Sequence, residues 1–240
     1  KNKEKFYDII ILCTGRENQI NEKIFNNRHI KEDKKEIAYT SIINHNLKII
    51  ESRQYFLKEG PLAILPINNK KFSLIWSMSN KYNSFTNEDI KKIIKKRLKN
   101  IFSEQSKFNI NQISSFPIYF KFNRKYFTKN IIALGESVYN FYPIAGQGFN
   151  LILRDISVLY KKIEGNISLG LDIKNSSIIK QVFLERKPEN LLFGLGISFT
   201  HKFFRYNKFT DPFKNSLLKD ISKFPIIKKI GLKLADKGIF

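Results

Sequence analysis

The sequence predicts a mixed α/β fold: a partial parallel sheet, interrupted by a mostly antiparallel sheet and followed by a helical segment. Three observations carry this. Phe6 to Cys13 (FYDIIILC) and Ile131 to Leu134 are short, continuous apolar runs of the kind found in buried strands, and the first reads as a parallel one. Between them lie extended segments joined by turn residues. After the second run, apolar residues recur at helical spacing.

Taken in order, the first strand is broken by Thr14-Gly15-Arg16. Residues 36–57 mix β-branched and aromatic residues with polar ones, as extended structure does, and Gly60-Pro61 marks a turn. Leu62 to Ile67 and Phe72 to Met78 form a hairpin pattern through Asn68-Asn69-Lys70-Lys71. Thr86 to Phe102 is a helix, with Thr86 and Asp89 spaced as a capping box. Ile90, Ile93, Ile94, Leu98 and Ile101 share one face of it. Lys91, Lys92, Lys95, Lys96, Arg97 and Lys99 cover the rest. Such a face is either simply solvated or a contact for membrane or nucleic acid. Ser115 to Phe122 alternates like a strand. A helix is expected from about Gly148 to Ile163, and another over 176–206 with Ile179, Val182, Phe183 and Leu191 on its apolar side. The last stretch, 224–240, is basic and amphipathic.

Composition narrows the function classes. With 240 residues, 42% hydrophobic and 14% aromatic, the chain can bury a substantial core, which excludes a disordered chain. The net charge of +22 (43 Lys+Arg, 21 Asp+Glu) favours anionic partners, although Lys and Asn are spread throughout, as A+T-rich coding would spread them. Cys13 stands alone, which excludes an internal disulfide and a Cys-based metal site and fits a reducing compartment. His29, His45 and His201 show no ligand spacing, so no metal is expected. No apolar run approaches the roughly 18 residues of a membrane span. The start lacks a signal-peptide pattern and an initiator Met, so the chain is expected to be interior to a longer one. No recognised nucleic-acid motif is present, and no specific nucleic acid is expected.

The chemistry concentrates after the Ile131 strand. Gly135 lets the backbone turn closely and Glu136 sets a carboxylate at the strand's carboxyl end, the edge where open α/β sheets bind ligands. Gly146 and Gly148 permit close approach just where a helix begins, so its free N–H groups and dipole favour an anion or an electron-rich carbonyl. A carboxylate suited to a sugar hydroxyl, beside such a helix start, suggests a nucleotide-type cofactor. On spacing alone, an ordinary Gly-rich strand-to-helix turn is an equal reading.

The wording of the stretch goes further. Gly135-Glu136-Ser137-Val138-Tyr139, then Tyr142-Pro143-Ile144-Ala145-Gly146-Gln147-Gly148-Phe149-Asn150 and Leu153-Arg154-Asp155, resembles the second flavin-binding motif of FAD-dependent aromatic hydroxylases. Within that family the stretch most resembles the ubiquinone-biosynthesis hydroxylases. Gly60-Pro61-Leu62-Ala63-Ile64-Leu65-Pro66, Ile75-Trp76-Ser77, Phe116-Pro117-Ile118, Leu169-Gly170-Leu171-Asp172 and Glu185-Arg186-Lys187-Pro188-Glu189-Asn190 resemble later parts of the same family. The resemblance implies FAD as cofactor and a polyprenylated phenol as substrate. NAD(P)H or a ferredoxin-type protein would be the reductant. It implies that Glu136 holds the ribitol or ribose and that Pro143, Gly146, Gln147 and Gly148 line the flavin and pyrophosphate. Asn150 would position the ring's pyrimidine edge, and Gly15 would belong to the middle cofactor motif. No catalytic residue is assigned.

The chain departs from the family in three places. The N-terminal Gly-x-Gly-x-x-Gly motif is absent. Leu12-Cys13-Thr14-Gly15-Arg16 stands where the family has Gly-Ala-Asp-Gly-Arg, with Asn18 and Asn21 in place of its Ser and Arg. In the second motif Glu136 replaces the family's Asp, a change that keeps the carboxylate, and Val138 and Tyr139 replace an Ala-His pair. Three readings follow: part of a working monooxygenase, a split or decayed homologue acting as a membrane-surface or scaffolding protein, or a basic binding module. The expected organisation is a partial FAD-binding domain (1–25 and 126–165), a substrate-binding sheet (26–125) and a helical region (166–240). The expected location is cytoplasmic, peripheral to the inner membrane, with contacts to a ubiquinone-biosynthesis complex.

Overall fold

The computed structural model describes residues 5–16, 19–26, 29–32, 36–47, 51–143, 146–174 and 177–204. Asn18 and the basic stretch at 224–240 lie outside them. In chain order the elements are β1 (Ile10–Leu12), α1 (Gln19–Phe25), β2 (His29–Lys31), β3 (Glu36–His45), β4 (Arg53–Leu57), β5 (Gly60–Asn68) and β6 (Lys71–Ser79). They continue with α2 (Asn87–Ile101), β7 (Phe108–Ile110), β8 (Ser114–Ile118), β9 (Lys121–Asn123) and β10 (Phe127–Thr128). The last are β11 (Ile131–Ala133), β12 (Tyr139–Asn140), α3 (Gln147–Ser168) and α4 (Ser177–Phe204). The mixed α/β class and the interrupted sheet are as expected. The chain divides into two compact units: unit 1 holds residues up to 32 and 120–202, and unit 2 holds 33–119.

Unit 2 is a six-stranded antiparallel sheet covered by α2. Strands run β4-β5-β6-β3-β7, with β8 pairing the other half of β3's free edge. The 60–79 hairpin closes through a tight turn in which Asn68 Oδ1 accepts the Lys70 N–H at 2.9 Å. Alternation puts Ile37, Tyr39, Ile43, Leu62, Ile64, Phe72, Leu74, Trp76 and Met78 into one core. The capping box at Thr86 forms as its sequence predicts, and α2 lays Ile90, Ile94 and Leu98 on that core. Gly60 has φ +137°, and a Cβ there would collide with the Ser77 carbonyl, so only glycine lets β5 start beside β6. The Gly60 carbonyl accepts the Trp76 indole N–H at 3.2 Å, satisfying the polar end of the buried ring.

Unit 1 contains two small sheets and the long helices. β1 pairs with β11 in parallel, and β10 pairs with β11 antiparallel. The other sheet has the order β12-β9-β2. Two expectations need correction. The Phe6–Cys13 run is not a buried strand: only Ile10–Leu12 pairs, Ile11 is 45% exposed, and Phe6 and Tyr7 are more exposed still. The reason is position. β1 lies at the margin of its sheet, with a described neighbour on one edge only, and among the described residues the apolar run is left largely exposed. The Ser115–Phe122 strand is broken in two, because β8 ends at Ile118 in the sheet of unit 2 while β9 begins at Lys121 in a sheet of unit 1. α3 is longer than expected, beginning at Gln147 and reaching Ser168.

Candidate functional site

The candidate site forms where two parallel neighbours end. The Leu134 N–H donates to the Leu12 carbonyl at 3.0 Å, so the chain leaves β1 and β11 side by side. Gly15 then turns with φ +77° and Gly135 with φ +79°, conformations that favour glycine. The two loops are clasped together. Arg16 Nε donates to Glu136 Oε2 at 3.0 Å and Arg16 Nη2 to Oε1 at 3.2 Å, a bidentate pair between partly exposed side chains. Arg16 was not singled out from the sequence. Its partner was, and the guanidinium is what fixes that carboxylate's direction.

The turn carrying Glu136 is held from below. Ser137 Oγ donates to the Leu134 carbonyl at 2.8 Å, and the Ser137 carbonyl accepts from Asn123 Nδ2 at 2.8 Å and Asn21 Nδ2 at 3.4 Å. Asn140 Nδ2 donates to the Glu136 carbonyl at 3.2 Å. Asn21, which stands where the resembled family has Arg, is thus buried and braces this turn.

On the far side of the loop, α3 starts without a side-chain cap. Gly146 precedes it with φ +63°, a left-handed residue that brings no side chain to cap the first-turn N–H groups. A Cβ at Gly15, Gly146 or Gly148 would meet no atom within 4 Å, so open space lies before all three backbones. Asn150 Nδ2 donates to Gln147 Oε1 at 3.2 Å, and both side chains sit at the helix entrance. Pro143 is half-buried. Gly135 faces α3: a Cβ on it would lie 3.8 Å from Ile152 Cδ1, which brings the Glu136 turn against the start of that helix.

What fixes α3 is a buried polar network that the sequence did not single out. Tyr139 donates to Asp155 Oδ2 at 2.8 Å, Arg186 Nε to Asp155 Oδ1 at 2.7 Å, and Asn190 Nδ2 to both Asp155 oxygens at 2.9 and 3.1 Å. Arg186 also pairs with Glu189, and Arg154 stands 3.6 Å from the same carboxylate. Burial pushes the Asp155 carboxyl above its usual range, although Arg186, Asn190 and Tyr139 all donate to it. Burial and the Asp155 charge push the Tyr139 hydroxyl up, so it remains a donor. Tyr139 stands before the loop and Asp155 two turns after it, so the network ties both ends of the loop to α4. The signal was present in the sequence as Leu-Arg-Asp and Glu-Arg-Lys-Pro-Glu-Asn, whose charges sit on otherwise apolar helix faces.

A second polar group tethers α4. Glu32 accepts from Lys202 at 2.7 Å, Ser198 at 2.9 Å and Tyr142 at 3.3 Å, and the Tyr142 and His201 rings stack at 3.9 Å. Burial raises the Glu32 carboxyl, but these donors outweigh it and hold it below the usual range.

A family model described as squalene epoxidase matches residues 66–216. The ubiquinone biosynthesis monooxygenase COQ6, mitochondrial, of Dictyostelium discoideum is 28% identical over 205 residues, covering 70% of this chain and 41% of that protein. The 3-demethoxyubiquinol 3-hydroxylase of Escherichia coli is 23% identical over 184 residues, covering 76% of this chain and 47% of that protein. The chain therefore spans less than half the length of these relatives. Among solved structures, p-nitrophenol 4-monooxygenase PnpA from Pseudomonas putida superposes with a TM-score of 0.76 at 10% identity, over 96% of this chain and 59% of that one. Aklavinone-11 hydroxylase, in complex with FAD and aklavinone, superposes with a TM-score of 0.64 at 14% identity, over 80% of this chain and 37% of that one.

Proposed function

The chain belongs to the squalene epoxidase family, and from that membership we propose that it is part of an FAD-dependent monooxygenase that hydroxylates a polyprenylated phenol in ubiquinone biosynthesis. One observation carries the cofactor reading: the clasped carboxyl ends of β1 and β11 lie against the uncapped start of α3. The residues present fit one side of a dinucleotide. A half-exposed carboxylate suits a polyol hydroxyl, and open glycine backbones at a helix start whose N-cap is a glycine suit an anionic or carbonyl edge.

When bound, the flavin would supply the redox chemistry that places an oxygen atom on the ring. The chain's own residues bind and orient. Glu136, aimed by Arg16, would accept from a ribitol or ribose hydroxyl. Pro143, Gly146, Gln147 and Gly148 would border the ring and pyrophosphate, with Asn150 at the pyrimidine edge. The middle motif departs at Thr14, and Gly15 is its remaining close-approach position. The sheet of unit 2 would carry the phenol. The reductant would be NAD(P)H or a ferredoxin-type protein. No helix among the described residues is long and apolar enough to cross a membrane, and the net charge of +22 supports a peripheral position on an anionic leaflet.

The test is a flavin-fluorescence titration of the purified chain. We expect weak, saturable FAD binding and no turnover by this chain alone. Glu136→Ala should weaken binding by roughly tenfold, the loss of one charge-assisted hydrogen bond. Gly148→Leu should abolish binding while circular dichroism stays unchanged, because a Cβ there meets no atom of the protein within 4 Å. No saturable uptake would remove the cofactor reading for this chain and leave the non-catalytic, split or decayed homologue in its place.

A further inference from the structure

Two uncovered surfaces of unit 1 adjoin the candidate site. The first is the outer edge of β1. The Ile10 N–H donates to the Asn130 carbonyl at 2.9 Å, and the Leu12 carbonyl accepts the Leu134 N–H at 3.0 Å. Backbone groups alternate in direction along a parallel strand, so the N–H and carbonyl of Ile11 point the other way, to an edge with no neighbour among the described residues. Parallel sheets are ordinarily covered on both faces. Here the Ile11 side chain is exposed as well.

The second surface is a stripe on α3. Phe149, Leu153, Ile156, Tyr160 and Ile167 are 47–65% exposed, and with the half-buried Ile163 they recur at steps of 4, 3, 4, 3 and 4 residues. That is the repeat by which one helix packs along another. The helix is also nearly neutral, in a chain of net charge +22. Arg154 and Asp155 belong to the buried network, and Lys162 pairs with Glu185 at 3.3 Å. Its other charges are Lys161 and Glu164, and Glu164 accepts the Tyr160 hydroxyl at 3.0 Å. An anionic leaflet or a nucleic acid would call for a basic flank. An apolar centre depleted of charge is what a protein surface meets.

The first surface takes a strand and the second a helix. Both reach the candidate site: β1 leads into the Gly15 turn, and α3 sets Ile152 against Gly135. A strand added in parallel to β1 and a helix laid along α3 are the two parts of one strand–turn–helix unit. Its turn would fall at the site, where a second helix start could serve an anion. The relatives carry more than half of their length outside the region of similarity, which is chain enough for such a unit. We propose that the outer edge of β1 and the α3 stripe form one docking surface for a strand–helix unit of the dinucleotide-binding type, its strand parallel to β1 and its helix along 149–167. That the unit holds a dinucleotide rests on the flavin reading; the two surfaces do not.

The probe is a labelled strand–Gly-x-Gly-x-x-Gly–helix segment of the resembled hydroxylase family, titrated into the full chain without FAD and followed by fluorescence anisotropy. Saturable binding is expected, with slowed hydrogen exchange at the Ile11 amide. Ile11→Pro removes that outward N–H and leaves the bonds of Ile10 and Leu12 to the neighbouring strand, so it should weaken binding roughly 2- to 10-fold. Leu153→Glu with Ile156→Glu should weaken it at least roughly tenfold. Leu184→Glu with Leu192→Glu puts the same charge on exposed leucines of α4 and should leave binding within about twofold. Circular dichroism reports that each variant keeps its helices. A repeat with FAD reads the cofactor separately: docking without FAD uptake supports the surface and removes only the flavin reading. No saturable binding, equal losses in the two glutamate pairs, or self-association through α3 that the probe does not relieve would overturn the proposal.

Discussion

Unit 2 and unit 1 use similar residues to opposite effect. In unit 2, Phe72, Leu74, Trp76, Met78, Ile90, Ile94 and Leu98 are all fully buried, and one sheet face and one helix account for them. In unit 1, α3 buries Leu151, Asp155 and Leu159 but leaves Phe149, Leu153, Ile156 and Tyr160 exposed at 65, 47, 47 and 61%. α4 does the same with Leu184, Leu192, Leu195 and Phe199. The spacing of these residues is as regular as that of a core face. The difference teaches that apolar periodicity predicts a helix and its potential for burial, but not whether a partner surface is there to receive it. In unit 2 packing fixes the elements. In unit 1 the Asp155 network and the Arg16–Glu136 clasp hold much of the structure that shapes the candidate site.

The sharpest way to break this comparison is to cut into the closed core. Phe72→Ala, at a fully buried ring that stacks near His45 and Phe108, should cost about 3–5 kcal/mol. The chain has one tryptophan, Trp76, and it lies in the same core, so the urea midpoint of its fluorescence reads unit 2 directly. A loss below about 1 kcal/mol would show that the sheet can collapse around the cavity and is not close-packed.

The next effect falls in unit 1 and is polar. Asp155→Asn keeps the shape but removes the charge that Arg186 faces, and should cost about 1.5–3 kcal/mol, the range for hydrogen bonds to charged groups. Far-UV circular dichroism, dominated by the long helices, should lose signal at lower urea than in the parent chain. An unchanged helical transition would mean that α3 and α4 are held by apolar contact after all.

These contrasts explain what the sequence could and could not tell. The capping box at Thr86, the hairpin at 60–79 and the alternation of β3 are local chemistry, and local chemistry is written in adjacent residues. The glycines and Glu136 of the candidate site were legible for the same reason. Arg16 and Glu136 meet across 120 positions, and Arg186 meets Asp155 across 31. Nothing in either local pattern says which distant charge it will face. The Phe6–Cys13 run failed in the opposite way. Its composition is that of a covered strand, and only the sheet order shows that β1 sits at a margin.

The smallest expected effect sharpens the comparison most. Leu153→Glu with Ile156→Glu places two carboxylates on the outer stripe of α3. Glutamate is nearly as good a helix former as leucine, so the helix itself should not object. Both side chains are 47% exposed, so little burial is lost, and the change in folding free energy should stay within about 0.5 kcal/mol per site. What should change is association: an uncovered apolar stripe promotes self-association and binding of apolar dyes, and two added charges should suppress both. Urea denaturation and light scattering on the same samples separate the two effects. A stability loss above about 1 kcal/mol per site would mean that the stripe is already packed within this chain, and the two units would then differ in the chemistry of their cores rather than in whether those cores are closed.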